Sequence, residues 1–503
     1  MPNSTTAGGF LLVLAIVLPV VGVLLSLALG GRHAERVALI LMPAGLAVAV
    51  AIAAGVWRTD NVLQYFVGGW DPPLGVAFRA DGLSAAMILT AALLICGIGL
   101  FARTQFPSPQ EVETRAPLVF WTLLLAVWGA LNAVFIGGDL FNLYVALELL
   151  TFAAVPLVCL DGRPETLAAA LRYLLFALLG SILYLLGAVL LYGAYGTLDI
   201  VLLSGRIHPA PVAWVAISLM TTGLLAKAAL YPFHLWLPPA HAGAPAPASA
   251  ILSGLVVKAP FFLVVRLWFD VMPRMPERAA AQVLGVLGAA AILFGSVVAL
   301  RQMRLKLLIA YSTVAQIGYL FLMFPLAVRP ETGNPWSTVA WTGGVLQAIS
   351  HAFAKAAMFM AAGLIAEALG HDRISGLAGI GRALPITVFA FGLGGLSLMG
   401  LPPSGGFVAK AMLLTAAVAA GQWWWAVVVL TGGLLAGGYV FLVLARALSD
   451  SSEPLTLLST ISPSRQAVVV VLALCAVLLG FVPLRPLELL QIGRPATVVV
   501  GFR

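Results

Sequence analysis

Long apolar runs separated by short polar connectors make up almost the whole chain. A helix that crosses the hydrocarbon core of a bilayer needs about 20 apolar residues, and runs of this length predict about fourteen membrane-spanning helices. The predicted spans cover 8–30, 35–57, 81–102, 117–137, 139–160, 166–196, 212–238, 245–269, 279–300, 304–326, 338–369, 384–420, 424–447 and 466–484. The pattern therefore predicts an all-α polytopic membrane protein.

Two of the predicted spans contain helix-breaking residues. The seventh includes LYPFHLWLPPAHAGAP, and the twelfth includes GLPPSGGF. In lipid, the backbone polar groups that a broken helix exposes must be buried in protein or face a wet cavity, and paired interruptions point to a transport site. The breaks lie five spans apart, and because five is odd, a repeat of five helices would be inverted. We therefore expect two inverted five-helix repeats, each with one broken helix.

These repeats divide the chain into four parts. Helices 1–3 occupy 1–116, the first repeat (helices 4–8) 117–270, the second repeat (helices 9–13) 271–447, and helix 14 with the tail 448–503. The start, MPNSTTAGGF, has no basic segment before its apolar run, so we expect a retained first helix and not a signal peptide. Arg301, Arg304 and Lys306 cluster before the tenth span, and the positive-inside rule places this loop in the cytoplasm and both termini outside.

The composition agrees with a membrane protein and excludes other classes. Of the 503 residues, 62% are hydrophobic and 9% charged, whereas soluble domains have about 25% charged residues. The formal net charge is +8, but the basic residues stand singly, without the basic stripe that binds nucleic acid. Cys96, Cys159 and Cys475 form no CxxC pair and no Cys/His cluster. We therefore predict no metal site and no cofactor.

Four of the five lysines lie inside apolar spans. In contact with lipid, Lys227, Lys258, Lys355 and Lys410 would each cost about 2.5–3.5 kcal/mol, and together about 10–14 kcal/mol. Snorkelling or structural pairing would explain a single lysine, but Lys258 and Lys355 lie too far from the ends of their spans to reach the interface. A buried Lys can release its proton, whereas Arg stays charged. These four lysines are therefore predicted to carry protons.

Other polar side chains extend this set. Glu148 lies near the middle of a span, where a lysine partner or a helix-packing hydrogen bond would accommodate a carboxylate. Asp139, nine residues earlier, is expected to cap the same helix. His351 and Lys355 stand four residues apart, so they share one helical face. We predict a proton relay between them, with a packed structural histidine as the alternative.

Several motifs resemble those of one protein family. They are GGWDPPLGVAFRADGLSAAM, GDLFNLYVALELL, LLAKAALYPFHLWLPPAHAGAPAPASAILSGLVVK, LLIAYSTVAQIGY, HAFAKAAMF and GLPPSGGFVAK. Together they resemble the antiporter-like subunits shared by Mrp-type cation/proton antiporters, respiratory complex I and membrane-bound hydrogenases, over nearly the whole chain. The resemblance implies fourteen helices, inverted repeats and a central hydrophilic axis of Glu148, Lys227, Lys258, Lys355 and Lys410.

The resemblance also implies a function and partners. It implies a subunit that translocates H⁺, or exchanges Na⁺ for H⁺, beside other membrane subunits in a bacterial inner membrane and without its own redox centre. With Gln at position 316, the chain resembles the D-type component of Mrp antiporters and the quinone-proximal complex I paralogue. Another complex I paralogue has Glu at the position of Lys410, so the chain differs from that paralogue there. HLWLPPAHAGAP is more similar to the complex I and hydrogenase versions. A D-type component of an Mrp antiporter is therefore the main interpretation, and a proton-pumping subunit of complex I or of a hydrogenase is the alternative.

Two other classes of function make different predictions. A quinone- or haem-binding subunit would need cofactor ligands, and His234 and His241 share one connector, which is poor geometry for a haem and equally consistent with a solvated loop. A purely structural anchor would tolerate Leu or Gln at the buried lysines, which their desolvation cost argues against. We therefore predict a proton path that enters through one broken helix and leaves through the other.

Overall fold

The computed structural model of the protein describes residues 5–107, 115–273, 275, 278–328, 336–450, 457–482 and 487–494. Within these ranges, eleven helices are long and apolar enough to cross a bilayer, and four shorter apolar helices accompany them. Each of the fourteen predicted runs coincides with one or more of these helices. The all-α polytopic fold is confirmed, whereas the exact count of fourteen spans stays a prediction.

The helices are numbered in chain order, and one short hairpin joins the second to the third. The helices are α1 Phe10–Leu29, α2 Gly31–Thr59, α3 Gly82–Ala102, α4 Arg115–Ile136, α5 Leu140–Val158, α6 Pro164–Tyr195, α7 Ile200–Arg206, α8 Pro211–Lys227, α9 Leu237–Gly243, α10 Ala246–Ile251, α11 Lys258–Val265, α12 Arg278–Leu300, α13 Leu305–Phe321, α14 Met323–Ala327, α15 Trp336–Leu369, α16 Ile380–Ala383, α17 Pro385–Met399, α18 Gly405–Ala419, α19 Trp423–Leu448 and α20 Pro463–Leu478. The antiparallel hairpin consists of β1 Leu63–Phe66 and β2 Ala77–Ala80.

The start of α5 is fixed by a side-chain cap. The Asp139 carboxylate accepts hydrogen bonds from the backbone N–H groups of Phe141 at 2.8 Å and Asn142 at 3.1 Å. These donors belong to the first turn, where N–H groups have no partner inside the helix. The predicted cap is therefore confirmed. It also sets the depth of Glu148, nine residues on, at about 13 Å from the cap for a rise of 1.5 Å per residue.

Both predicted helix breaks are present. The helix α8 ends at Lys227, and a 3₁₀ turn, Phe233–Trp236, precedes α9. The helix α17 ends at Met399, and α18 begins at Gly405 with the Ser404 hydroxyl as its cap. Each break leaves carbonyl groups of a last helical turn without intrahelical partners. Two lysines of the candidate site, at the end of α8 and in α18, stand next to these breaks.

Two isolated β-bridges relate the halves of the protein. Asp139, ahead of α5, pairs with Asp199 after α6, and Arg304, ahead of α13, pairs with Arg373 after α15. In each predicted repeat, a bridge therefore joins the start of the second helix to the end of the third helix. With five predicted spans from α5 to α13, the two bridges are expected at opposite membrane faces. This correspondence supports the inverted repeats.

The eighth span passes through the centre of the protein. It comprises α10, a π-helical turn at Leu252–Val256, α11, and a second π-helical turn at Arg266–Val271. Its most apolar stretch is completely buried. Turns of this kind are rare and often mark functional sites. Lys258 stands two residues after the first π-helical turn, so protein surrounds it and lipid does not.

Glycines allow α6 and α8 to approach each other closely. A Cβ atom added at Gly180 would lie 2.6 Å from the carbonyl oxygen of Gly223, and one added at Gly223 would lie 2.2 Å from that of Gly180. Neither position therefore accepts a larger side chain without a shift of the helices. The close contact brings Ser181 of α6 to the end of α8, where Lys227 stands.

Candidate functional site

Three helices surround an ion pair in the first half of the protein. Lys227 Nζ lies 3.0 Å from Glu148 Oε1 and 3.0 Å from Thr151 Oγ1, both on α5. The Ser181 hydroxyl of α6 donates to the same carboxylate. Lys227 is therefore the lysine partner that was expected for Glu148. The ammonium has a counter-charge and two of its three donors are satisfied, which a buried cation requires.

Lys258 and Lys355 both belong to groups of hydrogen bonds that reach α13. Lys258 Nζ donates to the carbonyl of Ser253, whose hydroxyl lies 2.9 Å from Thr313 Oγ1. The Thr313 hydroxyl and Lys355 Nζ both donate to the Ile309 carbonyl, each at 2.9 Å. Both lysines are fully buried, so snorkelling is excluded for them. These hydrogen bonds link the eighth span of one predicted repeat to two helices of the other.

His351 lies one helical turn before Lys355 in α15. Its ring is buried, and neither ring nitrogen has a hydrogen-bond partner among the residues that the structure describes. A packed structural histidine normally has a partner for its ring nitrogens. The ring has no hydrogen bond to Lys355 either, so the relay stays a prediction.

Lys410 is held by neutral groups. Its Nζ atom lies 2.5 Å from the carbonyl oxygen of Leu398, in the last turn of α17, and 4.1 Å from the centre of the Tyr319 ring. Gln316 donates to the same carbonyl at 3.0 Å, and Gln347 donates to Gln316 Oε1 at 2.9 Å. A carbonyl oxygen has two lone pairs and can accept both donors. The negative end of the α17 dipole and the face of the ring both favour a cation here.

All six predicted residues are therefore buried or partly buried in the interior, and the five charged ones form two kinds of site. Glu148 and Lys227 form a charge pair, whereas Lys258, Lys355 and Lys410 contact carbonyl and hydroxyl groups. Sequence reasoning missed those neutral partners. The hydroxyls carry no distinctive signal, because serine and threonine are common in membrane helices. Two mid-span amides were a visible signal: Gln316, which the sequence interpretation used for subfamily alone, and Gln347, which it did not use.

A second cluster of buried charges lies at the C-terminal end of the eighth span. The Arg266 guanidinium lies 2.6 Å from Asp270 Oδ2, 2.6 Å from Asp81 Oδ1 and 2.8 Å from Ser84 Oγ. Asp81 also caps α3. This cluster fastens the end of the eighth span to the start of α3, which is a structural role that sequence reasoning missed.

The two histidines beside the broken seventh span are buried, so the solvated-loop interpretation is wrong for both. The ring of His234 stacks on Tyr231, with ring centres 5.4 Å apart, and that of His241 stacks on Phe359 of α15 at 4.4 Å. Proline-rich segments usually mark exposed connectors, but this one folds into the interior. Within the ranges that the structure describes, no group of three His, Cys, Asp or Glu residues could hold a metal ion.

Comparison with known proteins gives consistent matches. Residues 137–436 match the model of a family described as NADH:quinone oxidoreductase/Mrp antiporter, TM. The chain is 36% identical over 421 residues to the N-type component of the NADH-quinone oxidoreductase of Desulforudis audaxviator, covering 81% of this chain and 80% of that protein. It is 27% identical over 408 residues to the D-type component of the Na(+)/H(+) antiporter of Alkalihalophilus pseudofirmus, covering 80% of each. A chain of an archaeal membrane-bound sulfane sulfur reductase superposes with a TM-score of 0.85 at 25% identity, covering 95% of this chain and 96% of that one.

Proposed function

Because this chain belongs to the membrane family shared by NADH:quinone oxidoreductases and Mrp antiporters, we propose that it is the proton-translocating subunit of a multisubunit membrane complex. All six candidate residues fall inside the matched range, 137–436. The bacterial relatives support placement in a bacterial inner membrane. The complexes of the relatives support other membrane subunits as partners.

One observation carries this proposal: four buried lysines lie along the interior of both halves, and groups of hydrogen bonds join the middle two to α13. A buried ammonium can give up a proton and, as the neutral amine, accept another. Thr313 and Lys355 both donate to the Ile309 carbonyl, and Thr313 also contacts the hydroxyl of Ser253, whose carbonyl accepts from Lys258, so α13 holds the two lysines close to the same polar groups. We propose that protons pass along Lys227, Lys258, Lys355 and Lys410, with His351 beside the third lysine.

The same row favours H⁺ over Na⁺ as the ion that this subunit carries. Ammonium groups repel a metal cation, whereas they can themselves carry a proton. Glu148 is the carboxylate of the candidate site, and Lys227 already occupies it. We therefore propose that any Na⁺ carried by the complex follows another route.

The parent complex is an Mrp-type antiporter, a complex I-type oxidoreductase or a hydrogenase-type assembly, and the relatives favour the first two. An Mrp-type antiporter agrees with the Na(+)/H(+) antiporter relative, and a complex I-type oxidoreductase is favoured by the 36% identity to the NADH-quinone oxidoreductase relative over about four-fifths of both chains. The two differ in what drives proton movement. An Mrp-type complex exchanges H⁺ for Na⁺ without a redox donor, whereas a complex I-type pump needs NADH and quinone.

The proposal is tested in inside-out membrane vesicles that contain the complete complex, with a fluorescent reporter of internal pH. Proton movement should start with either a Na⁺ gradient or NADH, and the effective trigger identifies the parent complex. Lys355→Leu should stop the response, because the leucine carries no proton, while the complex still assembles. If an assembled Lys355→Leu complex transports at the normal rate, the proposed function is wrong; if neither trigger moves protons, both the Mrp-type and the complex I-type assembly are excluded.

A further inference from the structure

Lys410 shares its main-chain partner with a glutamine from another helix. Lys410 Nζ and Gln316 Nε2 both donate to the carbonyl of Leu398, at 2.5 and 3.0 Å. That carbonyl has no helical partner, because the residue four positions on is Pro402, which carries no N–H group. All three sharing residues are buried. The two side chains therefore take the place of the missing backbone donor.

The amide of Gln316 is held in one orientation. Gln347 of α15 donates to Gln316 Oε1 at 2.9 Å, so the NH₂ group of Gln316 faces the Leu398 carbonyl. The same nitrogen lies 3.5 Å from the Tyr439 hydroxyl of α19. Gln316 and Gln347 are each 1% exposed, and a primary amide at this depth is costly unless its groups are paired. Neighbours from three helices thus fix the donor that Gln316 presents.

The same face of α13 also supplies the ring against which the Lys410 ammonium lies. Tyr319 follows Gln316 by three residues, and helical residues three apart lie on one face. The centre of its ring is 4.1 Å from Lys410 Nζ, and its hydroxyl donates to the Val429 carbonyl of α19 at 3.3 Å. The helix α13 therefore controls both the carbonyl and the ring that hold this lysine.

We propose that Gln316 is a positioning residue for Lys410, which keeps the Leu398 carbonyl hydrogen-bonded whether the lysine is loaded or unloaded. A primary amide does not titrate near neutral pH, so Gln316 carries no proton itself. A buried carbonyl without a donor is costly. With Gln316 in place, the Lys410 ammonium can pass its proton to water at the end of the path, become a neutral amine and move away without leaving the carbonyl unpaired. The inference rests on the proposed function and explains how its last lysine can unload.

The test compares glutamine variants in vesicles with the complete complex, and divides the rate of proton movement by the amount of assembled complex. Gln316→Met keeps about the same volume but has no donor, so we expect transport to fall about 10-fold, as for one unpaired buried polar group. Gln316→His retains an N–H donor at a similar reach and should keep much of the normal rate. Gln466→Met is the matched control, because Gln466 is a buried glutamine of α20 that accepts from the Thr387 hydroxyl instead. Its transport should stay near the normal rate.

A further variant acts on the other amide. Gln347→Met leaves Gln316 without the donor that orients it, so its transport should fall between those of the wild type and Gln316→Met. If Gln316→Met does not assemble, a normal rate in Gln347→Met overturns the inference. An assembled Gln316→Met complex with the normal rate would also overturn it, as would an equal loss in Gln316→His or in Gln466→Met, since either would indicate packing and not the donor. If Lys355→Leu is inactive in the same assay, such a result leaves the proposed function standing.

Discussion

The ion pair between Glu148 and Lys227 gives the sharpest prediction about the first half of the protein. The side chains are 15% and 5% exposed, with 3.0 Å between Oε1 and Nζ. Breaking a buried ion pair by removing one partner costs about 3–5 kcal/mol. The partial exposure of Glu148 places this pair near the lower end, about 3 kcal/mol. The uncompensated charge on Lys227 destabilises the proton-loaded state that transport passes through, so at about 1.4 kcal/mol per factor of ten Glu148→Gln should slow transport about 100-fold.

Two comparison variants separate the charge from the rest of the side chain. Glu148→Asp keeps the carboxylate but withdraws it by one methylene, so its transport should fall between that of the wild type and that of the Gln variant. Thr151 and Ser181 remain in place as neutral partners in every variant. Glu165→Gln makes the same chemical change at an exposed position in the first turn of α6. This control should transport at the normal rate.

The assay is the initial rate of proton movement in inside-out vesicles, divided by the amount of assembled complex. The expected order is the wild type and Glu165→Gln first, then Glu148→Asp, then Glu148→Gln. A Gln variant that assembles and transports at the normal rate would refute the electrostatic reasoning. A Gln variant that fails to assemble, together with a normal rate for the small amount that does, would make the pair structural.

Three further predictions concern other buried groups. Lys410→Ala should abolish transport but leave assembly intact, because removal of a cation without a carboxylate partner in the described residues leaves no buried charge behind; quantitative recovery of the complex checks this. His351→Ala and Lys355→Ala should show non-additive losses of transport if the two residues act as one relay, and additive losses in the double variant would indicate independent roles. Arg266→Leu should lower the thermal stability of the complex markedly, because Asp81 and Asp270 lose a buried counter-charge; an unchanged unfolding temperature in detergent would contradict this.

The membrane fold could be predicted from the sequence because lipid imposes simple rules. About 20 apolar residues make a span, and breaks at proline and glycine must lie in the interior. The Asp139 cap followed from local chemistry, and the pairing of Glu148 with a lysine followed from the cost of an isolated buried charge. In each case the physical requirement concerned one residue or one segment. No knowledge of distant neighbours was needed.

The shared polar surroundings of Lys258 and Lys355 could not be predicted in this way. They depend on Ser253 and Thr313, which are 60 residues apart in the sequence. Hydroxyl groups in apolar helices usually satisfy themselves on the preceding turn, as Thr313 also does on Ile309. Ser253 and Thr313 can form their hydrogen bond only because the eighth span packs against α13. The burial of His241 likewise depends on α15, which supplies the ring of Phe359.

The two ends of the lysine row differ in how easily their partners can change. Lys410 is held by a main-chain carbonyl at a helix end, which moves only if α17 moves. Lys227 is held by the Glu148 side chain, which a single rotamer change can withdraw. The next residues on the outer surface of α5, Leu149 and Phe152, are exposed and face lipid or a neighbouring subunit. We therefore expect partner subunits to control proton movement at the Glu148 end, where displacement of one carboxylate removes a full counter-charge.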